Sequence, residues 1–140
     1  MRKNLTWLVV IGSIAVIGSA WAFDGGKIRA NVPFEFYVGT ELLPAGEYQF
    51  EMRSLGRGSA TASNVVVSNS EGTLLAMRMT IPGIADPEKA QLHFNRYGST
   101  NFLTKVEGMG LQAQISTTSA ERTLMARGNR AVQETLAASR

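Results

Sequence analysis

Between residues 28 and 38 every second position is apolar: Ile28, Ala30, Val32, Phe34, Phe36 and Val38 alternate with Arg29, Asn31, Pro33, Glu35 and Tyr37. A period of two sends the apolar set to one side of an extended backbone and the polar set to the other, which a helix cannot do. The segment reads as a strand with one buried face. Pro33 has no amide hydrogen, so the strand belongs at a sheet edge or carries a bulge there. The alternation returns after Leu43, Pro44, Ala45 and Gly46, where Pro and Gly stand as a type I turn favours. Tyr48, Phe50 and Met52 then point inward against Glu47, Gln49 and Glu51.

Strand signals recur over 64–68, 73–81, 91–97, 102–107 and 111–116, separated by short stretches rich in Gly, Asn, Asp and Pro. Residues 54–63 are mostly Gly, Ser, Ala and Thr, with Arg53 and Arg57 nearby, too poor in apolar side chains to pack, and read as a loop. About seven short strands with hairpin-length turns and no intervening helices predict a mainly β fold, an antiparallel sandwich or small barrel.

The period changes at the end of the chain. Thr118 followed by Glu121 fits a capping box, and Met125, Gly128, Val132 and Leu136 fall on one helical face beside Leu124 and Ala131, with Arg127, Arg130 and Glu134 opposite. A C-terminal helical tail over 118–140 is the expectation, either covering one end of the β domain or docking on a partner or an anionic surface. Gly128 and Asn129 sit inside that pattern, where a Gly costs about 1 kcal/mol relative to Ala, so the helix is weakest there.

The first 22 residues have the organisation of a secretory signal peptide. Arg2 and Lys3 form the positive start, residues 5–17 the apolar run, and Ala20, Trp21 and Ala22 the small-x-small cleavage site. The mature chain would begin at Phe23, with a β domain over 23–117, and would be periplasmic or secreted. Membrane attachment would come only through an uncleaved leader. The whole chain holds 14 Lys and Arg against 11 Asp and Glu, and losing Arg2 and Lys3 leaves it close to neutral, which argues against a nucleic-acid partner. With no Cys anywhere, disulfides and thiolate metal sites are excluded, and stability must come from packing, hydrogen bonds or association.

Few reactive constellations are available. His93 is the only histidine, and no serine lies in a Gly-x-Ser-x-Gly elbow. Met77 and Met79 share one side of a strand, where with Leu75 and Ile81 they read as an inward core row. With Met52, Met109 or His93 they could alternatively offer soft ligands to Cu(I). Glu35, Glu47, Glu51 and Glu107 take outward strand positions, as solvated face residues do, and nothing in their spacing makes a glycosidase pair of any two. Phe34, Phe36, Tyr48, Phe50 and Phe94 fit the inner faces, leaving Tyr37, Tyr97 and Phe102 as possible surface contacts. No catalytic residue, metal site or cofactor is assigned.

Val32, Pro33, Phe34, Glu35 and Phe36, then Val38 and Gly39, then Leu43, Pro44, Ala45, Gly46, Glu47 and Tyr48 resemble the VPFxFxVGxxxLPAGxY opening of small exported proteins common in acidobacterial genomes. Residues 92–98 with Phe102 and Leu103 resemble that family's LxFxRYGxxxFL stretch, and residues 119–124 its SxAERxL tail, with the spacing altered by one. The resemblance spans most of the mature chain and implies that leader, β domain and helical start form one unit; it brings no catalytic residues. It singles out Arg96 and Tyr97, which join Tyr37, Arg127 and Arg130 as a candidate interaction surface, Arg96 being expected to pair across strands with a carboxylate such as Glu47 or Glu107. The reading is an exported non-enzymatic β domain that acts by binding or assembly at the cell envelope, its partner an envelope protein or a second copy of itself. The alternative is a barrel-type carrier of a small apolar ligand.

Overall fold

The computed structural model describes residues 27–54 and 63–139; the leader assigned to residues 1–22 and the interior of the loop read at 54–63 lie outside the described residues. Among the described residues the protein is mainly β, ten strands in one mixed sheet that is not closed, with one helix near the C-terminus. The strands are β1 (Lys27–Val32), β2 (Phe36–Val38), β3 (Glu41–Leu43), β4 (Gly46–Ser54), β5 (Ser63–Asn69), β6 (Leu74–Ile84), β7 (Gln91–Tyr97), β8 (Thr100–Gly108), β9 (Leu111–Ile115) and β10 (Val132–Ala137), and the helix is α1 (Ser119–Ala126).

Pairing runs β1-β4-β5-β6-β9-β8, and β8 continues on its other side to β7 and then β10. The two ends of this path meet at a single antiparallel bridge, where Arg29 and Ser139 exchange backbone hydrogen bonds of 2.7 and 2.8 Å. The sheet therefore folds over on itself, and only that one bridge joins its ends. The β2–β3 hairpin attaches to β8 through the parallel pair Tyr37 and Phe102, the one departure from antiparallel order.

Ten strands appear where about seven were expected, for reasons local to three places. Pro33 interrupts the first alternating run, so β1 ends at Val32 and β2 starts at Phe36, yet parity survives the break and Ile28, Ala30, Val32, Phe36 and Val38 are all buried. Gly39, at φ +63°, turns the chain back so that β3 pairs with β2. The third place is the expected helical tail, which the structure corrects: α1 stops at Ala126, and residues 132–137 form β10 instead.

Gly128 explains that ending. At φ +81° it takes the left-handed conformation that terminates helices, its N–H bonded to the Met125 carbonyl, while the Asn129 side chain covers the Leu124 carbonyl at 3.0 Å. Beyond it, β-branched Val132 and Thr135 fit a strand, and the edge of β7 offers a full row of backbone partners from Arg96 to Gln91. Pairing satisfies those groups, which a marginal second helical turn would have left to water.

The interior is packed with side chains. Phe36, Phe50 and Phe94 are fully buried with Ile28, Leu92, Val65 and Val67 around them. Phe94 meets Phe34 and Phe36 edge-on with ring centres 5.1 and 5.5 Å apart, and Phe36 meets Tyr48 at 5.3 Å. Each such ring contributes about 1.5–3 kcal/mol of burial, with about 0.5–1.5 kcal/mol more per well-placed aromatic pair. The Tyr48 hydroxyl donates to the Pro44 carbonyl, closing the β3–β4 turn from within, and burial pushes its phenol above the ordinary value.

Candidate interaction surface

β5 decides which side of β6 faces out. It buries Val65 and Val67, and the register places Ala76 opposite Val67 and Arg78 opposite Val65, so those residues share the inner side. Met77 and Met79 then lie opposite Val66 and Asn64 on the outer side, 54% and 69% exposed, and Ile81 continues the row at 58%. The expected inward row of Met77, Met79 and Ile81 is thus reversed. A bulge between Val67 and Ser68 skips Leu75, which sits half-buried. Met52 is buried on the inner face, so the methionines do not converge as a ligand set.

The backbone of β6 is also incompletely used. Its ladder with β9 covers residues 80–84 only, so residues 74–79 have a strand partner on the β5 side alone, and β3 pairs only with β2. Between these two edges lies a cleft of about 290 Å³ lined by Thr40, Glu41, Leu74, Leu75, Ala76 and Met77. Its inner end is filled by the Arg78 side chain, which runs against Gly39. On the outer face an adjoining groove of about 330 Å³ has Val66, Leu74 and Met77 as its apolar part and the Glu51–Arg53 ion pair, at 2.9 Å, as its rim. An apolar strip beside an unpaired strand edge, rimmed by charge, has the anatomy of a protein–protein contact surface.

The five residues singled out from the sequence do not form one surface. Tyr37 stacks on Phe102 at 5.2 Å and Phe102 meets Tyr97 at 5.9 Å, so the three aromatics do gather, but Phe102 and Tyr97 are buried and offer no platform. Tyr97, 6% exposed, donates its hydroxyl to Glu121 Oε1 at 2.9 Å. Arg96 does pair with a carboxylate across strands, but with Glu134 of β10 at 2.6 Å rather than Glu47 or Glu107, because β10 occupies the edge beside it. Arg127 caps the end of α1 and Arg130 lies in the following loop, both exposed. Among the described residues no hydrogen bond or ion pair joins either arginine to Arg96 or the tyrosines.

Glu121 is the residue that sequence reasoning left without a role beyond capping. It is 4% exposed and accepts from Asn95 Nδ2 and the Tyr97 hydroxyl, each at 2.9 Å, while its own N–H donates to Thr118 Oγ1. Its position in the capping box was legible; its turning to the sheet was not. Burial first, and then the hydrogen bond and charge of Glu121, hold the Tyr97 phenol above its ordinary value.

A second concavity, polar apart from the buried Phe94 beneath it, lies across β7–β10. His93 Nε2 comes within 3.1 Å of Glu107 Oε2, and Lys105 Nζ within 3.1 Å of Glu107 Oε1, while the Thr135 hydroxyl approaches His93 Nδ1 at 3.3 Å. Burial alone would raise the Glu107 carboxyl; its contacts with His93 and Lys105 outweigh that and hold it below the usual carboxylate value. No protein-family model matches this chain, and neither any curated protein nor any solved structure matches it.

Proposed function

We propose that this chain is an exported, non-enzymatic β domain that works at the cell envelope by binding or assembly, and that the unpaired edge and outer apolar row of β6 are its contact surface. The observation that carries the reading is the exposure of Met77, Met79 and Ile81 on a strand whose residues 74–79 have a strand partner on the β5 side alone. An extended segment of an envelope protein can add to residues 74–79 through main-chain hydrogen bonds while the methionines, flexible and polarizable, adapt to its side chains. The packed aromatic interior counts against the alternative of a carrier, since Phe36, Phe50 and Phe94 fill the space an apolar ligand would need.

The test places a photo-crosslinking residue at position 79, and separately at exposed Ser119, in protein expressed with its leader and recovered by fractionation. Adducts at position 79 alone, abolished by Met77→Asp, support the reading, and their masses separate an envelope partner from a second copy. A monomer without adducts at position 79, or full-length protein retaining Met1 in the cytosol, refutes it.

A further inference from the structure

We propose that the polar concavity on the outer face of β7, β8, β9 and β10 is a binding site for an uncharged saccharide. It takes no lining residue from β6, although Gln114 stands opposite Ile81 across the β6–β9 ladder; it is about 270 Å³ in volume, and its lining includes His93, Thr104, Lys105, Gln112, Gln114 and Gln133. The sheet register builds it: Thr135, His93, Lys105 and Gln114 form one row across four strands, with Glu107 and Gln112 in the next. A bulge sits in its middle. The pairing of β7 with β8 slips between His93 and Phe94, which leaves Thr104 as the extra residue, its hydroxyl donating to the His93 carbonyl at 3.1 Å. Bulges bend a strand and re-aim its side chains, and here the result is a hollow on a sheet face that would otherwise be smooth.

Charge selects against ions. Glu107, beside the lining, is held by Lys105 and by His93, so the one ammonium of the lining is already answered by the carboxylate next to it. An anionic ligand would meet Glu107 and a cationic one Lys105. An apolar ligand finds no wall, since Phe94, the single apolar residue of the lining, is buried beneath it. What remains unanswered is hydrogen bonding: among the described residues Gln112, Gln114 and Gln133 make no side-chain hydrogen bond. Each primary amide offers donors and an acceptor together, which matches the dual character of sugar hydroxyls.

A peptide is the less fitting occupant. β7, β8 and β9 are paired on both sides, so no backbone edge is open to a strand at the centre of the hollow. Recognition must run through side chains, as it does for carbohydrate.

The experiment is a backbone-amide NMR titration of the mature chain with maltohexaose, cellohexaose and chitohexaose at millimolar concentration, with an uncharged Ala–Ser hexapeptide and sulfate as comparison ligands. At least one glycan should give saturable shifts centred on residues 93–95, 104–107, 112–114 and 133–135. Replacing both Gln114→Ala and Gln133→Ala, exposed positions that leave the sheet intact by circular dichroism, should weaken binding about tenfold through the lost hydrogen bonds. Met79→Asp, in the β6 row and outside the lining of the hollow, should leave it unchanged, so this test and the one on β6 fail independently. Absence of saturable shifts with all three glycans, shifts centred elsewhere, full binding by the double variant, or tighter binding of the peptide or sulfate overturns the proposal.

Discussion

Glu121→Ala is the substitution whose effect the geometry fixes best. The carboxylate is buried, and two neutral donors converge on the same oxygen, Asn95 Nδ2 and the Tyr97 hydroxyl, each at 2.9 Å. Hydrogen bonds to a charged acceptor contribute about 1.5–3 kcal/mol each, and the Tyr97 hydroxyl cannot be rehydrated where it lies. α1 can lift partly away, which caps the loss, so destabilisation of about 3 kcal/mol is expected, a large part of the usual 5–15 kcal/mol for a domain. Tyr97→Phe should cost about 1.5 kcal/mol, and the double variant should fall short of additivity by a similar amount, because both changes remove one shared bond. Both tryptophans, Trp7 and Trp21, precede residue 23, so urea melts of residues 23–140 are followed by far-ultraviolet circular dichroism. The phenol gives a second readout. Its native pKa is raised from 10.0, so its contribution to stability is intact below that pH and lost as pH climbs through the native value; Glu121→Ala should bring that titration down. Single losses under about 0.5 kcal/mol, or strict additivity, would refute the account of how α1 is held.

Phe94→Ala separates a packed core from a ligand lumen: edge contacts with Phe34 and Phe36 imply a loss of about 3–5 kcal/mol, measured by urea unfolding, whereas a lumen-lining ring would cost under about 1 kcal/mol. Gly39→Ala forces a side chain into a left-handed backbone and against Arg78, so about 1–2 kcal/mol should be lost, and Arg78→Ala in the same background should recover part of it in thermal melts. For Glu107→Gln the effect depends on pH. The native carboxyl is held below 4.5, so its stabilisation is fully present above that pH and vanishes as pH falls through the native value; wild type and variant should differ at pH 7 and converge in acid, and a gap that persists at pH 2 contradicts the pairing with Lys105 and His93.

Alternation carried most of the fold, because a period of two states which face is buried without any knowledge of the neighbours. That is why Ile28, Ala30, Val32, Phe36, Val38, Phe50 and Phe94 are inside as their positions predict. It fails where a neighbouring strand imposes the opposite face. In β6 the sequence Leu74, Leu75, Ala76, Met77, Arg78, Met79, Thr80, Ile81 has its larger apolar side chains on the odd positions, and judged alone the strand should bury them. What overrules it is the register with β5, whose Val65 and Val67 are fully buried and whose choice of face is passed across the ladder to Ala76 and Arg78. The tail fails for a related reason. Residues 131–137 satisfy a helical stripe and a strand comparably well, and the edge of β7, a non-local fact, decides between them. Both failures move residues to new places: β10 supplies Glu134 to Arg96 and Gln133 to the polar hollow, and the reversed β6 supplies the exposed methionines. The surfaces that local periodicity could not foresee are therefore those on which the functional argument rests, since a side chain exposed against its own strand's pattern is held there by neighbours rather than by hydrophobicity, and remains available to a partner.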